Sequence, residues 1–381
     1  MFLRRQFLTL VLLAATGAAA STEDTYKGVE RIVAIGDVHG DYDQFVTVLR
    51  TAGLIDEKEK WAGGKTHLVQ TGDVLDRGPA SRKAMDLLME LEKQAKKAGG
   101  AVHFLLGNHE AMNIYGDLRY VSPEEFASYR TKKSDELRDK LFNLTVEELK
   151  SKGTPPAGDE FRKKFDEEHP LGWVDQRLAF GHEGKYYKWL VQHNVIVKIN
   201  DVIFLHGGIS PKYAATTIKE FNQKVRGELE DFNTLENGMT MDQDGPLWYR
   251  GLAQSPERDL AAHVDQLLKT HEVAHIVIGH TPSPAVRTRF EGKVITIDVG
   301  LSKIFGGPPA FLIIEGSKYY AVHRGNKLAL PAGGGDVLAY LRAAAALDPQ
   351  PSPIQRLIEG KPEGNPAENN DSPAARHAGS R

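Results

Sequence analysis

Arg31-Ile32-Val33-Ala34-Ile35 runs directly into Gly36-Asp37-Val38-His39-Gly40, and the reading of this stretch decides the fold. A short apolar run ended by glycine predicts a strand buried in a sheet. The polar residues come where the strand stops. In α/β sheets the carboxyl ends of strands form the crevice in which ligands sit. Glycine beside a polar residue lets the backbone turn sharply and come close to a ligand. The arrangement then repeats. Leu68-Val69-Gln70 leads, after Thr71, to Gly72-Asp73-Val74-Leu75-Asp76-Arg77-Gly78, and Phe104-Leu105-Leu106 leads to Gly107-Asn108-His109-Glu110. Phe204-Leu205 leads to His206-Gly207-Gly208, and Val277-Ile278 to Gly279-His280-Thr281. A single strand-end Asp or His is a turn or capping residue. Five such clusters in one chain predict one shared site.

Helix-like stretches at Tyr42–Ala52, Ala80–Ala98 and Asp259–Thr270 separate several of these runs, which is the alternation of an α/β layered domain. Val195–Ile199, Asn200-Asp201 and Val202–Leu205 read as a hairpin with a two-residue turn. Val294–Ile297, Phe311–Ile314 and Tyr319–Val322 add late strands. The expected fold is α/β: a mixed sheet, or two packed sheets flanked by helices. Residues 113–183 break the rhythm as a charged, helix-prone insertion. Within it, Ser122-Pro123-Glu124-Glu125 combines a capping serine, a first-turn proline and a glutamate three residues on. Leaving and returning at two strands of the site, this insertion is expected as a helical cap over or beside the crevice. One domain is predicted over 28–347, closed by a helix at Val337–Leu347, with a proline-rich disordered tail over 348–381.

The chain of 381 residues is 41% hydrophobic and 26% charged, the composition of a globular protein. Its 48 basic and 51 acidic residues give a net charge of −3, with no footprint for nucleic acid. The absence of cysteine excludes disulfides, cysteine-bound zinc and thiol catalysis. At the N-terminus, Arg4-Arg5, an apolar run from Phe7 to Ala15 and Ala18-Ala19-Ala20 predict a signal peptide over 1–20. Arg4-Arg5-Gln6-Phe7-Leu8 fits the twin-arginine kind, with an ordinary secretory signal as the alternative; by either route the expected location is periplasmic, with no stable membrane insertion.

From the five clusters, two carboxylates, three imidazoles and an amide, with no thiolate, make a candidate ligand set. That set suits a pair of divalent transition ions: manganese, iron or zinc. Asp73 is the natural bridging carboxylate, with Asp37 and His39 on one ion and Asn108, His206 and His280 on the other. Two such ions lower the pKa of a water between them, so that hydroxide can attack a phosphorus in line. His271-Glu272-Val273-Ala274-His275 matches a zinc-protease signature. That motif needs both histidines on one helical face, whereas here a helix is expected to end and a strand to begin. His67 and His103, in or beside strands, read as core or edge residues. Glu110 is expected to support the site from behind the ligands.

The set GD-x-HG, GD-x-x-DRG, GNHE, HGG and GH, in that order from Gly36 to Thr281, resembles the calcineurin-like metallophosphoesterases. Within them it is most similar to the phosphoprotein phosphatase group and its bacterial Shewanella-like branch. The resemblance implies a metallophosphoesterase-type sandwich of αββα layers and an enzyme hydrolysing phosphate monoesters on phosphorylated protein or peptide. By it Asp37, His39 and Asp73 bind one metal, and Asp73, Asn108, His206 and His280 the other. His109 would be the general acid, Asp76 the group orienting it, and Arg77 and Arg250 the phosphate-binding arginines. Symmetrical dinucleoside polyphosphate hydrolases share the core motifs and are the alternative. The loop Ser302–Gly307 departs from the pattern of the eukaryotic members.

Overall fold

The computed structural model describes residues 23–154, 158–333 and 335–360. The expected signal segment 1–20 lies outside them. The strands are β1 (Thr25–Tyr26), β2 (Arg31–Ile35), β3 (His67–Gln70), β4 (Ala101–Phe104), β5 (Ile196–Ile199) and β6 (Val202–Leu205). After them come β7 (His275–Ile278), β8 (Arg287–Arg289), β9 (Val294–Thr296), β10 (Ala310–Glu315), β11 (Lys318–His323) and β12 (Asn326–Ala329). They form two mixed six-stranded sheets, in the orders β1-β5-β6-β7-β9-β8 and β12-β11-β10-β2-β3-β4. The hairpin of β5 and β6 is in the predicted register, Ile199 opposite Val202, with Asn200 left-handed at φ 55° in the turn.

The helices flank the sheets: α1 (Tyr42–Thr51), α2 (Ser81–Lys97), α3 (Asn108–Tyr115), α4 (Pro123–Ser128), α5 (Ser134–Ser151) and α6 (Gly158–Glu168). The chain continues with α7 (Trp173–Phe180), α8 (Lys185–Leu190), α9 (Ile218–Glu230), α10 (Gly251–Gln254), α11 (Glu257–His271), α12 (Val337–Ala345) and α13 (Ile354–Ile358). Strands such as β2 and β6 bury successive residues rather than alternate ones, because both faces of their sheets are covered. No helix of the described residues is long and apolar enough to cross a membrane.

Topology brings the polar clusters together. β2, β3 and β4 are parallel neighbours in one sheet, and β6, β7 and β9 in the other, so their carboxyl ends open on common ground. The two sheets touch at Gly36, where a Cβ would stand 2.5 Å from the Ile297 carbonyl oxygen and 2.8 Å from Asp298 Cα. Glycine there lets the end of β2 meet the end of β9.

Three predicted boundaries need correction. The domain starts before residue 28, because β1 pairs with β5. Asn113 belongs to α3 rather than to a separate segment. Residues 348–360, expected as disordered, are held: buried Asp348 accepts from Arg324 Nε at 2.7 Å and Ser352 Oγ at 2.7 Å, and lies 2.9 Å from His323 Nε2. Ile354 is fully buried. Proline-rich composition concealed this anchor because its partners are tertiary. Residues 361–381 lie outside the described residues.

Candidate active site

Five of the ten candidate site residues have left-handed backbone: His39, Asp73, Asp76, Arg77 and His280, with φ between 46° and 71°. Such conformations in non-glycine residues concentrate where side chains must be aimed against local preference. Buried Glu110 holds much of this geometry. Its carboxylate accepts from the backbone N–H of Asp73 (2.8 Å), Val74 (2.9 Å), Leu75 (3.3 Å) and Gly107 (2.8 Å), tying the loop after β3 to the start of α3. Burial, and then the nearby Asp73, push its pKa up to about 7.

The structure brings the ten candidate residues to one place, and three imidazoles are fixed alike. His39 donates Nδ1–H to the Leu75 carbonyl (3.0 Å), His206 donates Nδ1–H to Thr71 (2.9 Å), and His280 donates Nε2–H to Trp248 (3.1 Å). Each therefore turns a lone pair inward. His206 Nε2 stands 2.9 Å from Asn108 Oδ1, 3.0 Å from His280 Nδ1 and 3.2 Å from Asp73 Oδ2. Lone-pair atoms gathered without a proton between them are what a cation requires. The ligand atoms of Asp73, His206 and His280 lie within 4.8 Å of one another, as do those of His39, Asp73 and His109, so Asp73 is common to both groups. Asp37 joins the first side. Its Oδ1 accepts from His280 N–H (3.1 Å), while its Oδ2, 3.9 Å from His39 Nε2, is buried without a partner among the described residues. The donor set thus fits two divalent ions.

Electrostatics agree with that fit. Burial, then His109, hold the His39 pKa down to about 3, and burial followed by Arg250 keeps His280 well below its usual range. Both are neutral at pH 7, the form that ligates. Burial works to raise the Asp73 pKa but is outweighed by His206, His109 and His39, which keep it an anion. Burial, Asp298 and Asp73 push the Asp37 carboxyl well above the carboxylate range, the burden a nearby cation would relieve.

His109 is anchored differently. Its Nδ1 lies 2.6 Å from Asp76 Oδ2, and its Nε2 lies 3.8 Å from Asp73 Oδ2. A carboxylate on Nδ1 fixes the proton there and leaves Nε2 facing the site. At the rim, half-buried Arg77 lies between the rings of Tyr120 (4.5 Å) and Phe305 (5.3 Å). Half-buried Arg250 donates Nη1–H to the His280 carbonyl at 2.6 Å.

The insertion packs beside this site as a brace: α4 lies against α2, and α7 against α4, α5 and α8. It meets the candidate site at Tyr120, whose ring stands 5.2 Å from that of His109. The protease-like signature is split as expected, with His271 ending α11, Glu272 left-handed, and His275 opening β7. His67 and His103 pair with each other at 2.9 Å.

Sequence reading missed Asp298, Tyr120 and Phe305. Asp298 follows β9, and burial pushes its pKa up to about 6; its Oδ2 has no partner among the described residues. The signal was the same as elsewhere, a strand followed by an acid and a glycine, in Ile297-Asp298-Val299-Gly300.

The calcineurin-like phosphoesterase family model matches residues 30–284. An uncharacterised protein of Schizosaccharomyces pombe is 35% identical over 317 residues, covering 77% of this chain and 81% of that protein. Shewanella-like protein phosphatase 2 of Arabidopsis thaliana is 30% identical, covering 73% of each chain. Among solved structures, the cold-active protein-tyrosine phosphatase of a psychrophilic Shewanella superposes with a TM-score of 0.60 at 30% identity, over 80% of this chain and 82% of that one.

Proposed function

The chain belongs to the calcineurin-like phosphoesterase family, and from that premise we propose a protein phosphatase that hydrolyses phosphate monoesters on protein side chains, tyrosine foremost. The observation that carries the proposal is the set of tautomer-fixed imidazoles turned on a shared, buried Asp73 beside two rim arginines. When bound, two divalent ions would supply an activated water and neutralise phosphate charge. Asp37 and His39 are assigned to one side, Asn108, His206 and His280 to the other, and Asp73 to both.

Arg77 and Arg250, partly open to solvent, are the groups that bind the phosphate oxygens and offset the charge growing on them. His109 is the general acid. With Nδ1 committed to Asp76, its Nε2–H is the proton available to the departing oxygen. The tyrosine preference rests on the aromatic walls that Tyr120 and Phe305 form around Arg77, next to exposed Ile304, and on the activity named for the Shewanella neighbour. A planar phenyl ester has surfaces there on which to stack.

The test is a hydrolysis panel of phosphotyrosyl and phosphoseryl peptides, diadenosine tetraphosphate and a bis-phosphodiester, with Mn²⁺ added. The phosphotyrosyl peptide should turn over fastest. A preference for diadenosine tetraphosphate would replace this reading with a dinucleoside polyphosphate hydrolase. The proposal extends to export into the periplasm through the Arg4-Arg5 signal. Replacing Arg4→Lys together with Arg5→Lys should retain folded, active enzyme in the cytoplasm, and undiminished export of that variant would point to the ordinary secretory route.

A further inference from the structure

Helix α3 carries Asn108, His109 and Glu110 in its first turn, and its other end meets α7 of the insertion. Gln176 of α7, 1% exposed, donates Nε2–H to Asn113 Oδ1 at 2.7 Å. Asn113 in turn donates Nδ2–H to Asp76 Oδ1 at 2.8 Å and to the His109 carbonyl at 3.0 Å. Asp76 completes the line through Oδ2 to His109 Nδ1 at 2.6 Å. Beside Gln176, Arg177 donates to the Asn113 and Ile114 carbonyls, fastening α7 to the end of α3.

The polarity of this line follows from its chemistry. An ionised carboxylate only accepts, so Asn113 must present its NH₂ to Asp76 and its carbonyl to Gln176. Both amide protons of Asn113 and its carbonyl oxygen are then in use. Turning the Asn113 amide over would set its oxygen against the Asp76 carboxylate and its NH₂ against that of Gln176. Gln176 Oε1 is buried with no partner among the described residues, so the side chain serves there through its N–H.

We propose that Gln176 is a positioning residue for His109, acting through Asn113 and Asp76, so that the insertion aims the imidazole at the leaving oxygen. This rests on the phosphatase reading above. With Gln176 in place Asn113 has one orientation, Asp76 is held from both oxygens, and the ring lies in the plane that points Nε2 into the site. Without it Asn113 can turn, Asp76 can rotate, and the proton is delivered off line. The metal ligands stay where their own backbone anchors hold them.

The experiment compares wild type, Gln176→Glu and Gln176→Ala as Mn²⁺-loaded proteins on aryl phosphates from 2,4-dinitrophenyl, a good leaving group, to phenyl, a poor one. Metal content and melting temperature are measured alongside. The glutamate of Gln176→Glu is isosteric but unable to donate when ionised, so it should turn Asn113 over and have the larger effect. For Gln176→Glu, kcat on phenyl phosphate should fall about tenfold or more, part of what a general acid contributes. On 2,4-dinitrophenyl phosphate it should stay within about twofold, since that phenolate leaves with little need of a proton. KM and metal content should hold, and Gln176→Ala should follow more weakly. An equal loss on every ester, a loss of metal or an unchanged leaving-group dependence would overturn the proposal. Should Gln176→Glu not fold, the same outcomes are read from Gln176→Ala. A wild-type protein inactive on every aryl phosphate would instead overturn the phosphatase reading itself.

Discussion

The strand-end loops and the helical insertion divide the molecule's stability in opposite ways. In the loops, His39, Asp73, Asp76, Arg77 and His280 sit at positive φ. Left-handed backbone costs of order 1–2 kcal/mol per non-glycine residue. That strain is held by burial, by Glu110 and by backbone bonds such as Val38 N–H and His39 N–H to the Asp73 carbonyl. In the insertion, positive φ falls on Gly116, Gly153, Gly158 and Gly172. There α4 starts with Ser122 accepting from Glu125 N–H, and ion pairs such as Arg162 with Asp139 and Asp166 lie near solvent. A small ring cluster of Phe142, Phe161, Phe165 and His169 makes its core. The loops hold strain to aim groups, and the insertion avoids strain in order to stand as a support.

Asp73→Asn should break the loop side of this contrast most severely. It removes the carboxylate common to both ligand groups, so activity should vanish and metal content, read by elemental analysis, should fall. His109→Ala should be less drastic, slowing turnover about 10²–10⁴-fold, with a smaller loss for good leaving groups. Its metal content should match wild type; loss of metal would make His109 a ligand rather than the acid.

On the insertion side the effects should appear in stability. Glu125 of α4 accepts from the Ser81 and Arg82 N–H groups that open α2, and burial pushes its pKa up to about 8. The folded state therefore binds this proton more tightly than the unfolded chain. Its contribution is full below the unfolded value near 4.5 and is lost as pH rises through about 8. Glu125→Gln keeps an oxygen acceptor without the charge, so melting temperatures measured from pH 5 to 8 should fall less steeply than in wild type. Smallest of all, Arg162→Ala should cost below about 1 kcal/mol, less at high salt, because the two pairs it breaks lie near solvent. A larger loss would mean the support depends on its surface charges.

The site was legible in the sequence because strand ends write it locally: glycine, an acid or histidine, then glycine again. All six proposed ligands stand directly beside a glycine where a strand ends, although the clusters of Asn108, His206 and His280 have it on one side only. Asp298 has its glycine two residues on, and it passed as the end of a late strand. Gln176 had no local mark, since its partner Asn113 is 63 residues away and only packing makes them neighbours. The same holds for the segment after Asp348, whose prolines suggested disorder while His323 and Arg324 hold it. The insertion's helices were legible from propensity, but which part of the site they would touch was not, because propensity announces helices without saying which face they will cover.

The six proposed ligands are drawn from both sheets, and along the chain they run from Asp37 to His280. Synthesis therefore meets them in instalments. A ribosome-bound chain with β2, β3 and β4 complete carries Asp37, His39, Asp73 and Asn108 but lacks His206 and His280, so one half of the centre waits on the other sheet. The ions can be enclosed only after that second sheet has docked, which makes metal loading an event of finished folding rather than of early synthesis. Whichever compartment sees the last fold completed chooses the metals. Under the export proposed above, an exporter of folded chains would fix them inside the cell, and an exporter of unfolded chains would leave the choice to the periplasm.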